Sequence, residues 1–455
     1  MFRKRAKKKR AVIMDFKLHG KKLLGDSFIY GLSGIITSFI GVFLIPLYTS
    51  VFNPEDYGII ALLSSLQTIV TIIIIFGMDN SFAVWYWDKP TEKGRGIAAS
   101  NWFFFSLALG FCASILLGAG AYFLASFLLG DGRLYPLIIL FAINTFLAST
   151  QKLLNSWFRI RRQPIHAVSF NLIISLLAIG LNVWFVLIKR VGIPGIYYSV
   201  CITSFISLAV SIIILRKYIS LKFIDFGEMK KMVKFSLPLV PTGLIFWVMG
   251  AATPYFINFL MHDKAEIGLY QIGSNGANLL GLGTFAFLQA FTAYALSISN
   301  DEDARKIYAK ILEYYIYAGM ACALMLGLMA KFILHLFTNE KYMPAYTVIG
   351  ILAFNVIISG AIQVVTIANL LAKDNKPIAK AAIYSVVITV IGYFSLIPLF
   401  EKEGAALAVV LGNLVTTIYI TIKAQKLYLI PYNFKRIITF SIVCIIIYMV
   451  YLKFF

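Results

Sequence analysis

The stretch Asp56-Tyr57-Gly58-Ile59 opens a long apolar run, and Glu266-Ile267-Gly268-Leu269, 210 residues later, opens another. Two further pairs of short motifs recur at offsets of 213 and 210 residues: Gln163-Pro164-Ile165 with Lys376-Pro377-Ile378, and Lys217-Tyr218 with Leu427-Tyr428, which follows Lys426. Three matches at nearly one spacing predict that the chain consists of two related halves.

The composition places both halves in a membrane. Of 455 residues, 60% are hydrophobic and 13% are charged, and the mean hydropathy is +0.84. A soluble domain carries about 25% charged residues, so this chain has too few polar groups to cover a water-facing surface. Aromatic residues make up 15% of the chain, which is typical of a lipid-facing surface with interfacial belts.

Apolar runs long enough to cross a hydrocarbon core of about 30 Å occur thirteen times. The predicted spans are 27–50, 57–87, 100–128, 134–158, 168–188, 195–215, 236–260, 267–297, 311–337, 346–372, 381–400, 404–424 and 437–452. The fold class predicted from them is all-α and polytopic.

The basic residues indicate the orientation. The chain has 41 Lys and Arg against 20 Asp and Glu, a net charge of +21. With the N-terminus in the cytoplasm, 32 of the 41 lie in inside segments, 7 lie outside, and Lys152 and Lys331 lie within spans. This is the positive-inside pattern, so topology accounts for most of the charge and no nucleic-acid partner is needed. The dense run from Phe2 to Arg10 is predicted to be a topogenic segment near the anionic leaflet.

Six spans separate the repeats, so both halves enter the membrane from the same side. Parallel repeats of this kind are related by a pseudo-two-fold axis along the membrane normal. The predicted organisation is a basic cytoplasmic N-terminus (1–26), two six-helix lobes (27–215 and 236–424), a basic cytoplasmic linker (216–235), and a linker with one extra helix (425–455). The substrate path is expected between the lobes.

Polar side chains inside spans are costly unless they face protein or a water-filled cavity. They recur at helical spacing in two spans, and we take them as candidate substrate-binding residues. The set is Gln271, Asn275, Asn278 and Gln289 in the eighth span, with Asn144, Gln151 and Asn155 in the fourth, beside Lys152 and Arg159. Amides and hydroxyls suit sugar hydroxyls, but any one of them could equally form an interhelical hydrogen bond that holds the bundle together.

Three ionisable residues have competing interpretations. Asp79, at the end of the second span, could exchange ions, pair with a nearby cation or be an inert helix-end acid. Glu313 could couple to an ion or simply pair with Lys310. Lys331 could contact an anionic substrate or extend its ammonium group towards the interface.

The prolines predict a bend, and no motif of a catalytic or cofactor-binding site is recognised. Pro238, Pro241 and Pro254 make the seventh span the expected bending helix. The acidic run 301–303 lies in a polar loop without further ligands, the four cysteines have no metal spacing, and no phosphate-binding glycine loop occurs. The sequence therefore predicts neither an enzyme nor a cofactor or metal.

Several motifs resemble the polysaccharide flippase family, the O-antigen and lipid-linked oligosaccharide exporters of the multidrug/oligosaccharidyl-lipid/polysaccharide superfamily. The likeness covers nearly the whole chain. It rests on the segments 43–49, 53–58, 77–79, 237–241, 266–270, 371–373, 404–406 and 430–432.

The resemblance implies that the protein flips an undecaprenyl-pyrophosphate-linked oligosaccharide across the bacterial cytoplasmic (inner) membrane for surface polysaccharide or lipopolysaccharide synthesis. It also implies alternating access coupled to an ion gradient, and a polysaccharide polymerase or glycosyltransferases as partners besides membrane lipids. Where the family often has arginine, this chain has Ser50, Val84 and Leu399, and Thr253-Pro254 stands where an Asp-Arg pair is frequent. Lys152, Arg159 and Lys331 are left as candidate cations for the pyrophosphate.

Alternative functions stay open within transport. A drug or metabolite exporter of the same superfamily, or a flippase of a lipid-linked peptidoglycan precursor, would share these motifs. A membrane-embedded polymerase or glycosyltransferase would need a sizeable extracytoplasmic loop, and the predicted outside loops have about ten residues or fewer.

Overall fold

The structure is a computed structural model that describes residues 44–299, 301–372, 374 and 376–454. Throughout these ranges the chain forms helices joined by short turns, without a β-strand. The all-α prediction is confirmed. Residues 44–51 are helical. The α-helices that follow are α1 Pro54–Ile75, α2 Met78–Asp88, α3 Glu92–Ala119, α4 Ala121–Leu129, α5 Tyr135–Ile160, α6 Pro164–Asn182, α7 Ile193–Leu215, α8 Phe226–Ser236, α9 Leu239–Gly250, α10 Thr253–Met261, α11 Lys264–Ser297, α12 Ala304–Phe337, α13 Tyr346–Val365, α14 Ile367–Leu371, α15 Lys376–Leu427 and α16 Phe434–Phe454.

The described helices account for the predicted membrane spans from the second onwards. Ten segments are long and apolar enough to cross a bilayer, and the bent pair of α8 and α9 makes an eleventh. The first predicted span, 27–50, lies mostly outside the described residues, as does the basic segment 1–26. The total of thirteen spans and the pseudo-two-fold axis stay predictions.

The two predicted spans 381–400 and 404–424 are the arms of one helical hairpin, α15. The backbone leaves helical geometry at Glu401, where φ is 50° and ψ is −128°. The arms then pack antiparallel: Ser385 Oγ donates a hydrogen bond to the Gly412 carbonyl at 2.9 Å, and a Cβ on Gly392 would meet Ala408. The 52-residue element therefore passes through the bundle twice.

The predicted bending helix, 236–260, is broken twice. Helices α8 and α9 meet at 41° around Pro238. Two residues, Ala251 and Ala252, then separate the end of α9 from the start of α10. Proline lacks an amide hydrogen and its ring crowds the preceding turn, which explains the first break. The prediction that this segment bends is confirmed.

Among the described residues, the buried hydrophobic clusters that combine both halves of the chain lie at one end of the bundle. We call the end with the basic loops 88–96 and 159–167 the basic end, and the end where α1 and α11 begin the opposite end. At the basic end, separate clusters form around Trp157 in the first half and around Tyr308 in the second. At the opposite end, one such cluster combines first-half residues such as Leu62 with second-half residues such as Tyr393. The halves are thus packed together at the opposite end.

Hydrogen bonds reinforce this contact. Among the described residues, five side chains of the second half donate to backbone carbonyl groups of the first half. They are Asn339 to Thr49 (2.6 Å), Tyr342 to Phe52 (3.1 Å), Tyr255 to Leu62 (3.1 Å), Trp247 to Ser65 (3.2 Å) and Asn258 to Leu128 (3.3 Å).

The backbones of the two halves contact each other at the repeated motif itself. A Cβ added to Gly58 would overlap the carbonyl oxygen of Lys264, the first residue of α11, and a Cβ added to Gly268 would overlap that of Pro54, the first residue of α1. Each glycine thus contacts the first turn of the other helix, and both pairs keep the spacing of 210 residues. Only glycine permits two backbones to come this close.

A buried ion cluster holds α11 to the α15 hairpin and to α13, all within the second half. Lys402 Nζ, at the tip of the α15 hairpin, lies 3.2 Å from Glu266 Oε2 and 3.5 Å from Glu403 Oε1. Thr347 Oγ1 of α13 donates to Glu403 Oε1. Removing one partner of a buried pair leaves an uncompensated charge, so α11, α13 and the hairpin tip are fixed to one another.

The linker is held by the first half. Asn101 of α3 donates to the Asp225 carbonyl at 3.1 Å and accepts from the Asp225 amide at 3.0 Å. Ser81 Oγ of α2 donates to the Met232 carbonyl at 2.8 Å. The Trp85 indole donates to Glu228 at 3.0 Å. Helix α8 is therefore packed on α2 and α3.

Alanine at the helix crossing tests its tightness. We expect Gly58→Ala and Gly268→Ala each to lower the free energy of unfolding by about 1–3 kcal/mol, the cost of overpacking, because the added methyl group meets backbone that cannot rotate away. Thermal unfolding in detergent measures this. Gly283→Ala, on α11 with open space around it, is the matched control and should be neutral or stabilising. Equal stability of all three variants would contradict the tight crossing.

Candidate functional site

A polar cavity of about 520 Å³ lies within the second half, between α9, α11, α13 and the α15 hairpin. Its amide side chains are Asn278, Asn355, Gln363 and Asn413. Asn413 Nδ2 donates to Asn355 Oδ1 at 2.8 Å. Among the described residues that line this space none is charged, so its polar groups are neutral donors and acceptors set among apolar side chains.

Only one predicted substrate-binding residue, Asn278, lines this cavity. Asn355, Ser359 and Gln363 were missed although they recur at steps of four on α13, the same helical stripe by which Asn278 was found. Asn413 was also missed, although Thr416, three residues further along α15, lines the same cavity. The described residues that line this cavity all belong to the second half, and the substrate path between the halves stays a prediction.

The other amides of α11 lie elsewhere. Gln271 Nε2 donates to Asn275 Oδ1 at 3.0 Å, and Asn275 Nδ2 donates to the Tyr57 hydroxyl at 3.4 Å. These two residues form a polar link between the halves. Gln289 is exposed nearer the basic end and does not line the cavity.

The amides of α5 contact neighbouring helices of the first half. Asn144 is buried and accepts a hydrogen bond from Ser204 of α7 at 3.3 Å. Asn155 Nδ2 donates to Asn171 Oδ1 of α6 at 2.7 Å, while its own Oδ1 is buried without a partner in the described structure. Gln151 is half-buried. Hydrogen bonding between helices is what the alternative interpretation expected of such residues.

Asp79 lies in the first turn of α2, after the left-handed turn at Phe76 and Gly77. Its carboxylate accepts from Trp102 Nε1 at 2.9 Å and from Ser156 Oγ, and Arg159 Nη2 lies 3.5 Å away. Lys152 is close enough to interact electrostatically. Of the three interpretations given for Asp79, the structure shows pairing with a cation, Arg159.

The remaining candidates are each held by a tyrosine. Glu313 accepts a hydrogen bond from the Tyr317 hydroxyl at 2.7 Å, four residues along α12. Lys331 Nζ lies 4.5 Å from the ring centroid of Tyr346, a cation–π contact. Neither residue lines the polar cavity.

An apolar groove of about 730 Å³ lies on the other side of α13 and the second arm of α15. Helices α12 and α16 complete its walls. On α13, Ile351, Phe354 and Ile358 face the groove, whereas Leu352, Asn355 and Ser359 face the cavity. The same two helices therefore separate a polar space from an apolar one, and the extra C-terminal helix α16 forms a wall of the apolar one.

Comparison with protein families decides the relationship. The model of a family described as "Polysaccharide biosynthesis protein" matches residues 50–346, more than half of the chain. The chain belongs to this family. The resemblance inferred from the sequence motifs is thereby confirmed. No curated protein matches the chain in sequence.

Solved structures share the fold of the chain. The lipid II flippase MurJ in an inward closed conformation has a TM-score of 0.74 at 16% identity, covering 94% of this chain and 93% of that one. A MATE transporter in complex with MaD3S has a TM-score of 0.63 at 14% identity, covering 93% and 97%. An inward-facing multidrug resistance MATE transporter of the MOP superfamily has a TM-score of 0.61 at 15% identity, covering 89% and 95%.

The contacts of Asp79 predict an unequal response to two substitutions. Arg159 is 62% exposed and Asp79 is 16% exposed, so their ion pair is screened and Arg159→Gln should cost less than about 1 kcal/mol. Asp79→Asn weakens the charged hydrogen bonds from Trp102 and Ser156 and should cost about 2 kcal/mol. Chemical or thermal unfolding in detergent measures both changes.

Asp88→Asn, an exposed substitution on the same helix, is the control and should leave stability unchanged. If Arg159→Gln destabilised the protein as much as Asp79→Asn, the ion pair rather than the buried hydrogen bonds would hold the carboxylate.

Proposed function

We propose that the protein is a flippase that moves a lipid-linked oligosaccharide, carried on undecaprenyl pyrophosphate, from the cytoplasmic to the outer leaflet. The observation that carries this proposal is the polar cavity and the apolar groove on opposite sides of α13 and α15. A lipid-linked glycan has one end that needs hydroxyl-binding groups and one that needs a hydrocarbon-like surface. The family assignment to polysaccharide biosynthesis supports the same substrate class.

The neutral cavity suits a glycan. Sugar hydroxyls each donate and accept hydrogen bonds, and amides offer both functions without a charge that would have to be desolvated. A volume of about 520 Å³ lies in the range of small-molecule sites, roughly 300–1,000 Å³. We therefore assign the amide-lined cavity to a sugar unit of the substrate.

Alternating access follows from the uneven contact between the halves. Backbone contact at Gly58 and Gly268 closes the opposite end, whereas the hydrophobic clusters of the two halves are separate at the basic end. If the basic end is cytoplasmic, as the distribution of Lys and Arg favours, this is a state closed towards the outside. Flipping would require the two glycines to part.

The proposal includes coupling of transport to an ion gradient. Asp79 and Glu313 are the candidate coupling residues, and Asp79 has the richer set of partners: two hydrogen-bond donors and two nearby cations. A polymerase and glycosyltransferases are the expected partners, because they consume and supply such a substrate. No chemical step is assigned to the protein itself.

A lipid-linked peptidoglycan precursor is the second candidate substrate. The observation in its favour is the fold match to a lipid II flippase, with a TM-score of 0.74 against 0.63 and 0.61 for the two MATE transporters compared. A drug exporter is favoured less, because a small drug does not need the long apolar groove.

Reconstituted flipping tests the function directly. The protein in proteoliposomes should translocate a polyprenyl-pyrophosphate oligosaccharide, measured by accessibility to an enzyme outside the vesicle, with rates recorded with and without a proton gradient. Lipid II and a cationic dye serve as competing substrates. Transport of the dye alone would overturn the proposal, and transport of lipid II alone would move the assignment to the second candidate.

The groove is tested in the same assay. Ile442→Trp should fill the groove and slow flipping at least tenfold, because Ile442 lines it. Ile446→Trp, one turn further along α16 and exposed outside the groove, is the matched control and should flip normally.

Two amide residues of α11 provide a matched pair of variants that tests the amide cavity. Asn278→Leu keeps the volume and removes the donor and acceptor, so we expect it to reduce flipping about tenfold, the effect of one lost hydrogen bond of roughly 1.4 kcal/mol. Gln289→Leu removes an amide of α11 outside the cavity and should leave the rate unchanged. A full rate for Asn278→Leu, or an equal loss in both variants, would contradict the assignment of the glycan to this cavity.

A further inference from the structure

Four aromatic rings form a continuous surface at the basic end of the first half, here named the ring platform. The ring centroids of Tyr86 and Trp87 lie 5.4 Å apart, those of Tyr86 and Trp157 6.0 Å, and those of Trp157 and Tyr218 5.0 Å. The rings come from α2, α5 and the turn after α7, so the platform joins three separate parts of the chain.

Three guanidinium groups lie over this platform. Arg161 Cζ lies 4.5 Å from the centroid of Tyr218 and 5.1 Å from that of Trp157. Arg162 Cζ lies 5.9 Å from Trp87. Arg95 Cζ lies 5.5 Å from Tyr86 and 5.8 Å from Trp87. Cation–π attraction holds the charges against the rings.

The turn after α5 presents two of these arginines side by side. Arg162 has a φ of 55°, in the left-handed region that non-glycine residues rarely adopt. The turn is closed by hydrogen bonds from the Gln163 amide to the Phe158 carbonyl (2.8 Å) and from Trp87 Nε1 to the Ile160 carbonyl (3.1 Å). The platform and the turn therefore position each other.

The guanidinium groups of Arg161 and Arg162 donate no hydrogen bond to any residue that the structure describes, and neither forms an ion pair there. In contrast, Arg95 donates to the Lys89 carbonyl and contacts Glu92, and Arg159 pairs with Asp79. Stacking uses the face of a guanidinium group and leaves its N–H edges available. Two adjacent, oriented cations thus have their donors unused.

We propose that Arg161 and Arg162 form a binding site for the phosphate group of a lipid, and that the pyrophosphate of the lipid-linked substrate binds there before transport. Arginine recognises phosphate through two parallel N–H bonds, and the platform fixes both groups in orientation beforehand. Loops at this end are predicted to lie at the headgroup level of the cytoplasmic leaflet, where such a lipid phosphate is found. The identity of the lipid rests on the proposed function; the site itself does not.

The ring contacts distinguish this pair from the general basic excess of the inner rim. Arg216 is exposed at the same end, and within the described ranges it contacts no aromatic ring. It contributes to orientation as Arg161 and Arg162 do, but it lacks their fixed geometry. Arg216 therefore provides the matched control.

A binding measurement on the full-length protein tests the site. The protein in nanodiscs of phosphatidylcholine is titrated with farnesyl pyrophosphate, with empty nanodiscs as background and thermal unfolding as a check on each variant. We expect Arg161→Gln with Arg162→Gln to raise the Kd at least tenfold, and Arg161→Lys with Arg162→Lys to do nearly the same, because lysine keeps the charge but not the planar fork. Arg216→Gln should bind as the unaltered protein does.

The possible outcomes separate the site from its ligand. Unchanged binding in the double glutamine variant, full binding in the double lysine variant, or an equal loss in Arg216→Gln would each overturn the proposal. Phosphatidylglycerol and inorganic pyrophosphate serve as competitors: competition by the former identifies a general lipid-phosphate site, and competition by the latter alone identifies a pyrophosphate site, and either upholds the binding pair. Binding by a protein that flips no glycan would refute the proposed function and leave the site standing.

Discussion

The contact between the first turns of α1 and α11 is the constraint on which the arrangement of the two halves depends. Two glycines, 210 residues apart in the chain, let each helix pack its backbone against the carbonyl of the other's first residue. Around this point lie the mixed hydrophobic cluster and the hydrogen bonds from Asn339 and Tyr342 to the first half. Because backbone contact is short-ranged, a small rotation of either half would break it entirely.

Sequence reasoning predicted the parts of the fold that depend on local pattern. Apolar runs located the helices, and proline located the bend near Pro238. The repeat drew attention to Gly58 and Gly268, although their reciprocal contact is a tertiary fact that spacing alone does not contain. The polar cavity was predicted less well, since Asn278 was found but Asn355 and Asn413 meet only after α13 and the α15 hairpin pack together. Likewise, Arg161 and Arg162 counted only as topogenic charge, because two of the rings that they contact, Tyr218 and Trp87, lie far away in the chain.

Helix geometry explains how the polar cavity and the apolar groove can lie on opposite sides of α13. Residues one position apart on α13 face spaces of opposite character: Phe354 faces the apolar groove and Asn355 the polar cavity. Since successive side chains on a helix point about 100° apart, a helix only 20 residues long can present an amide stripe to one side and an aliphatic stripe to the other. The extra helix α16 has no counterpart in the six-plus-six pattern, and in the structure it completes the apolar wall. Cations are absent from the described lining of both spaces.

The packing of the linker on the first half has a mechanical consequence. Asn101, Ser81 and Trp85 hold the segment that includes α8, so the covalent connection between the halves is reduced to Leu237 and Pro238. Because proline fixes its own φ, this joint leaves only three backbone torsions free. Any rotation of α9 to α16 relative to the first half would turn about these torsions, and it would have to separate the backbone contact of α1 with α11.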